Sequence, residues 1–297
     1  SVEIYDPGTD TWTAGATEPT LPTYTNAAAE VGGNIYCISD ATSTPANTLF
    51  IYNIAGDSWS TLCLGGGCPA LWAPGMVGYG GFLWVMGGGT VPGPGNSAAL
   101  YRYDPGTDTW TTMSPMNHVR DFFPAFVYND MLYVVGGNDN NGLTQTEYYN
   151  FATDTWTEDT NTFAFLPEPL WGHAGGLVGS TYYITGGVNA AGELSAATYN
   201  YDFGTNTWTP DMDLPVPKYR FSGAGLGGLF YAVAGSTGGF SPSADVQVLY
   251  SCAVVSTPTP SVPTPTPGPQ VIPTAGPVGL GLALLIITGL LGFSTLR

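Results

Sequence analysis

The feature that most constrains this chain is a pair of aromatic residues that returns five times at one fixed separation. Trp12, Trp59, Trp110, Trp156 and Trp208 follow one another at intervals of 47, 51, 46 and 52 residues. Seven residues before each stands a tyrosine: Tyr5, Tyr52, Tyr103, Tyr149 and Tyr201. The residues between are turn formers, as in YDPGTDTW from Tyr5 and from Tyr103 and YDFGTNTW from Tyr201. A second mark is a short apolar run ending in small residues: FLWVMGG, MLYVVGG and TYYITGG, with looser copies NIYCISD and LFYAVAG. A unit of this size cannot bury a core alone, so its copies must pack on one another.

Within each unit the apolar runs are short, alternating and rich in β-branched and aromatic residues, bounded by Gly, Pro, Asn and Asp. They predict four strands, a to d. Strand b ends at the glycine doublet (Gly87-Gly88, Gly136-Gly137, Gly186-Gly187), strand c carries the Tyr and strand d the Trp. The doublet lets neighbouring backbones approach where a side chain would not fit. Tyr and Trp on adjacent strands give large apolar contacts between neighbouring sheets. From Ser1 to about Cys252 this pattern resembles the kelch repeat; the Gly-His and Trp-Asp marks of the WD40 repeat are missing. The resemblance implies an all-β fold, a kelch-type β-propeller of four-stranded antiparallel blades.

The N-terminal piece supplies strands c and d, four complete units follow, and a, b and c run to Tyr250, where Thr257 replaces the next Trp. That makes 21 strands, one more than five blades need. The expectation is about five blades here, in an incomplete ring or a strained one. A ring usually closes with a strand from the natural N-terminus, and an upstream d, a and b would give a parent of about six blades or more. Ser1, already inside a repeat, implies that the natural start lies upstream.

Beyond residue 252 the composition changes. Residues 253–277 are rich in Thr and Pro, which favours a semi-rigid polyproline II stalk. Residues 278–297 hold a charge-free apolar run, Val278 to Leu296, followed by Arg297. As a helix it would be about 28 Å long, close to a hydrocarbon core of about 30 Å, so a transmembrane helix is expected. Ile272-Pro273-Thr274 before it resembles the Ile-Pro-Thr-Leu type of bacterial sorting signal, related to those processed by exosortases, although Ala275 stands where Leu is expected. This resemblance implies display on a bacterial surface and a sorting protease as a partner.

Only 9% of residues are charged, and 5 Lys+Arg against 22 Asp+Glu leave a net charge of -17. Nucleic acid is excluded as a partner, because phosphate binding needs a basic face. In an up-and-down sheet the b–c and d–a loops share one face. Both vary in length while the c–d turn is constant, and variable loops on a rigid scaffold carry function. His118, His173, Arg120, Lys218 and Arg220 fall in d–a stretches, with Trp72, Trp171 and Tyr24 in similar places just before strand a. These eight are the candidate ligand-binding residues: the cations suit a carboxylate or sugar acid, the aromatics a sugar ring. A purely loop-bracing role for the arginines is the alternative.

Several apparent chemical signals dissolve on inspection. Gly223, Gly225 and Gly228 fit a dinucleotide pattern but lie in a predicted strand with no helix after it. The DPGTDTW turn resembles the sialidase Asp-box, yet only Arg120 and Arg220 could form an arginine cluster. Galactose oxidases, also kelch propellers, imply copper held by Tyr and His, but His118 and His173 lack ligand spacing. Asn138 to Gly142 invites calcium without an acidic first ligand. Catalytic and metal residues are therefore none; calcium and copper stay as alternatives. Cys63 and Cys68 bracket a short Gly-rich loop and suit a disulfide, which points to an oxidising compartment. Cys37 is expected as a buried thiol, and Cys252 as a partner for a cysteine upstream. The function expected is extracellular recognition, without catalysis, of a glycan or surface protein through the b–c and d–a face. A carbohydrate-active enzyme on that face and a structural surface component are the alternatives.

Overall fold

The structure, a computed structural model, describes residues 2–17, 25–39, 48–63, 67–89, 95–238, 246–249 and 284–285, with side chains at all of these but 25, 26, 39, 249, 284 and 285. The described residues form a five-bladed propeller, built from the predicted 21 strands in the predicted order, with one further two-residue strand at Leu284–Leu285. A hairpin of β1 (Glu3–Asp6) and β2 (Thr11–Ala14) comes first. Blade I is β3 (Thr25–Val31), β4 (Asn34–Ser39), β5 (Leu49–Asn53) and β6 (Ser58–Leu62). Blade II is β7 (Gly75–Tyr79), β8 (Phe82–Met86), β9 (Leu100–Asp104) and β10 (Thr109–Met113). Blade III is β11 (Ala125–Tyr128), β12 (Met131–Val135), β13 (Thr146–Asn150) and β14 (Thr155–Thr157). Blade IV is β15 (Ala174–Val178), β16 (Thr181–Thr185), β17 (Thr198–Asp202) and β18 (Thr207–Pro210). Blade V has, among the described residues, three strands, β19 (Ser222–Leu226), β20 (Leu229–Val233) and β21 (Val246–Leu249). All pairings are antiparallel.

The hairpin bridges the ends of the ring. Val2 and Ile4 pack with Ile35, Cys37, Phe50 and Tyr52 of blade I. Tyr5 and Trp12 face Leu226, Tyr231, Val233 and Val246 of blade V. The predicted stalk and transmembrane helix lie outside the described residues, apart from Leu284 and Leu285, which pair with Ile4 and Glu3. No helix among the described residues is long and apolar enough to cross a membrane.

Strands β3, β7, β11, β15 and β19 line the axis, and the d strands form the exposed rim. Each seam between blades is an apolar layer; at the II–III seam Val77, Trp84, Met86, Leu132, Val134 and Tyr149 are all buried. The inner strands approach so closely that a Cβ on Gly225 would stand 1.8 Å from the carbonyl oxygen of Leu177, and one on Gly78 1.9 Å from that of Glu30. The b-strand doublets meet both demands that only glycine satisfies. At Gly136 and Gly137 φ is 57° and 105°, and a Cβ on Gly136 would lie 2.7 Å from the carbonyl oxygen of Leu170.

The Tyr–Trp pair works through polar atoms as well as area. Tyr149 Oη donates to Asp154 Oδ1 (2.6 Å), the same oxygen accepts the Ser114 N–H of blade II (2.9 Å), and Trp156 Nε1 donates to the Ser114 carbonyl (2.9 Å). Thus one blade's c–d hairpin grips both faces of a single peptide residue at the end of the blade before it. Ala16 is gripped likewise by Asp57 (2.6 Å) and Trp59 (2.9 Å), and Ala164 by Asn206 (2.7 Å) and Trp208 (2.9 Å). The gripping residue is left-handed each time, with φ of 42°, 54° and 53° at Asp57, Asp154 and Asn206, a conformation Asp and Asn adopt more readily than other side chains. Burial, and then the hydrogen bond to Asp57, push the Tyr52 hydroxyl up to about 12.

Candidate functional site

The face carrying the d–a and b–c loops is knitted together by isolated antiparallel bridges: Trp72 with Gly89, Asp121 with Asn138, Trp171 with Val188 and Tyr219 with Ser236. These four bridges define equivalent positions in blades II to V. The next residue in each, Ala73, Phe122, Gly172 or Arg220, is left-handed, with φ of 47°, 49°, 64° and 55°. Their backbones form a chain from blade to blade: Phe122 N–H to Ala73 (3.1 Å), Gly172 N–H to Phe122 (2.7 Å) and Arg220 N–H to Gly172 (2.6 Å). Because each stands just before an inner strand, this chain of bonds rims the mouth of the axis.

Side chains along that rim make an aromatic arc. Ring centroids are 5.9 Å apart for Trp72–Phe122, Phe122–Trp171 and Trp171–Tyr219. The Arg220 guanidinium lies 4.3 Å from the Phe122 centroid, 5.2 Å from Tyr219 and 6.0 Å from Trp171. Trp72, Phe122, Trp171 and Arg220 are half-buried. Burial lowers the Arg220 pKa, opposed by Tyr219 and Asp121, yet a guanidinium keeps its charge. Asp121 lies buried by this rim; burial pushes its carboxyl up to about 6, against the Asn138 hydrogen bond and the Arg220 charge. The arc can therefore offer flat aromatic faces and one cationic fork to a ligand approaching along the axis.

The structure divides the sequence-predicted site residues. Trp72, Trp171 and Arg220 come together in the arc, whereas Tyr24 lies outside the described residues. Arg120 has no exposed surface. Its Nη2 meets Glu147 Oε1 (2.5 Å), and its Nη1 donates to the carbonyls of Gly136 (2.5 Å) and Gln145 (3.1 Å). Glu147 in turn accepts the backbone N–H groups of Asn117 (2.6 Å) and His118 (3.1 Å), so the arginine braces its own d–a loop. Lys218 is buried in the equivalent position of blade V. His173 is buried, and burial followed by the Arg120 charge pushes its pKa down to about 3, which keeps it neutral. His118 sits at the half-exposed rim, with Nε2 2.5 Å from Glu158 Oε2.

Aligning the units on the four bridges explains this division. The residue before each bridge is Leu71, Arg120, Leu170 or Lys218, all buried. Each unit's strand register places Tyr101, Glu147, Tyr199 or Gln247 at one equivalent c-strand position. Arg120–Glu147 thus replaces a Leu–Tyr combination used in blades II and IV. Phe122, Tyr219 and Asp121 were missed by the sequence reading; the same alignment sets Asp121 and Tyr219 at the positions of Trp72 and Trp171, with Phe122 one residue on. Among the described residues no three His, Cys, Asp or Glu converge as metal ligands. Gly223 and Gly225 lie in β19 and Gly228 in the turn after it. Cys63 and Cys68 form a disulfide, and Cys37 is buried in β4.

Comparison with known proteins agrees with this geometry. Residues 73–251 match the family model of the KLHDC2/KLHL20/DRC7 Kelch-repeats domain. Kelch-like protein 36 of Rattus norvegicus is 36% identical over 163 residues, covering 53% of this chain and 26% of the relative. Kelch-like protein terF of Aspergillus terreus is 26% identical over 237 residues, covering 73% of this chain and 50% of the relative. The chain thus spans between about a quarter and a half of the length of these relatives. The solved structure of YjhT superposes with a TM-score of 0.69 at 16% identity, over 81% of this chain and 88% of that one.

Proposed function

The chain belongs to the kelch-repeat family, and on that premise we propose that its propeller is a recognition module whose protein partner docks on the d–a and b–c loop face. The observation that carries this reading is the arc of half-exposed Trp72, Phe122 and Trp171 with Arg220 among them, backed by the buried Tyr219, at the axial mouth. Arg, Trp and Tyr dominate binding hot spots because they combine large area with directed polar groups. The partner reaches a rigid rim, since the left-handed residues are locked by blade-to-blade backbone bonds. Display outside the cell, on the Thr/Pro stalk and the apolar C-terminal run, belongs to the same reading, and the Cys63–Cys68 disulfide supports it.

The test is a peptide library panned on the full chain. Binders that weaken at least about tenfold on Trp171→Ala or Arg220→Ala, and not on Arg102→Ala, support a docking site at the mouth. Binders that none of these changes weakens would remove the site from the mouth.

A further inference from the structure

Three seams of the ring are gripped in the same way, and a fourth is not. At the seam between blades I and II, Tyr103 Oη donates to Asp108 Oδ1 (2.9 Å), and Asp108 is left-handed (φ 52°) like its counterparts. The gripping half is therefore formed. Yet the buried Trp110 Nε1 has no hydrogen-bond partner among the described residues. Its equivalents Trp59, Trp156 and Trp208 all donate to a backbone carbonyl of the preceding repeat, the N-terminal hairpin's in the case of Trp59.

The missing half is traceable to one residue. In two of the three grips the gripped peptide stands four positions after the preceding d-strand tryptophan, at Ala16 after Trp12 and at Ser114 after Trp110, and in the third, with a longer loop, it is Ala164 after Trp156. After Trp59 the fourth position is Cys63. Cys63 is left-handed (φ 61°), which Ala16 and Ser114 are not, and its sulfur is bonded to Cys68, with the two Cα atoms 5.5 Å apart. The bond ties Cys63 to Cys68, a tether that Ser114 does not have. Cys63, Cys68, Tyr103 and Trp110 belong to one apolar cluster, so the disulfide sits beside the unmatched donor.

We propose that the Cys63–Cys68 disulfide is a redox switch for this seam. Oxidised, it holds the Cys63 peptide away from Asp108 and Trp110. A dithiol reductant breaks the S–S bond: two electrons and two protons pass to the cysteine sulfurs, leaving two thiols, and the reductant closes to its own disulfide. Cys63 then relaxes to φ below zero, its N–H donates to Asp108 and its carbonyl accepts from Trp110, as Ser114 does with Asp154 and Trp156. Reduction thereby adds a seam contact while it removes a covalent one.

The experiment follows the indole N–H signals of the 15N-labelled full chain, with Trp110→Phe assigning the signal in question. Hydrogen exchange is measured oxidised, after dithiothreitol, after reoxidation, and in the Cys63→Ser/Cys68→Ser variant. Exchange at Trp110 slows about tenfold on reduction and recovers on reoxidation, while Trp59, Trp156 and Trp208 stay unchanged. Unchanged or faster exchange at Trp110 in the reduced chain overturns the proposal, as does an equal change at all four indoles. Should the double variant fail to fold, the dithiothreitol arm on the native chain decides.

Discussion

Replacing Asp154 with alanine removes the acceptor that joins blades II and III. Two donors lose it: the hydroxyl of fully buried Tyr149 at 2.6 Å and the Ser114 N–H at 2.9 Å. Hydrogen bonds to a charged acceptor contribute about 1.5–3 kcal/mol each, and water at this half-exposed carboxylate restores part of one, leaving a loss of about 2–3 kcal/mol. Alanine at a left-handed φ of 54° adds about 1 kcal/mol. Asp154→Asn, by contrast, should cost less than about 1 kcal/mol, because Asn206 performs the same task in blade IV. Combined with Tyr149→Phe, Asp154→Ala should show a coupling of about 1 kcal/mol or more in a double-mutant cycle. The Tyr149 hydrogen bond above all, aided by Ser114, holds the Asp154 carboxyl below its ordinary value. Its contribution is therefore complete above the unfolded value of about 3.9 and is lost as pH falls through the folded one. Urea unfolding followed by tryptophan fluorescence, at neutral pH and near pH 3, measures each quantity. Equal losses for the Asn and Ala variants, or additive effects in the cycle, would refute the grip.

Arg120→Leu alone strands the buried Glu147 carboxylate and should cost about 3–5 kcal/mol in chemical denaturation. Adding Glu147→Tyr rebuilds the Leu–Tyr combination of blades II and IV and should recover most of that loss. The two buried acid-sensitive groups oppose each other. His173 stays neutral when folded, so its contribution is lost, by up to about 1.4 kcal/mol per pH unit, as pH falls from about 6.5 toward about 3. Asp121, with its carboxyl raised to about 6, takes up a proton in the folded chain first, so stability rises as pH falls from about 6 to about 4. Urea midpoints between pH 4 and 6 should fall with acidity in Asp121→Asn and rise in His173→Phe; equal slopes would contradict both assignments. Gly225→Ala drives a Cβ into the Leu177 carbonyl and should cost about 3 kcal/mol or more in thermal unfolding.

The repeat was legible because its marks answer to geometry that local sequence controls. Tyr and Trp seven apart fall opposite each other across the constant c–d turn, as Tyr149 does with Trp156, and the glycine doublets occupy positions closed to any Cβ. Strand number and order followed from those marks. The partner of each aromatic pair was not legible. Asp57, Asp154 and Asn206 read as ordinary turn residues, and their work is a contact with a peptide some forty residues earlier in the chain. Cations in loops suggested ligand contacts, but burial depends on register: Arg120 aligns with Leu71 and Leu170 once the bridges to the b–c loops are known. Arg220, two residues beyond Lys218, passes the left-handed turn and emerges among aromatics instead.

Amide hydrogen exchange at Ala16, Ser114 and Ala164 addresses the seam grip with no ligand required. These three residues lie outside every strand, and their protection should nevertheless match that of the neighbouring strands; in Asp154→Ala the protection at Ser114 alone should fall. Exchange as fast as in the exposed turns, or a uniform change at all three sites in that variant, would contradict a propeller held blade to blade by its Tyr–Asp–Trp hairpins.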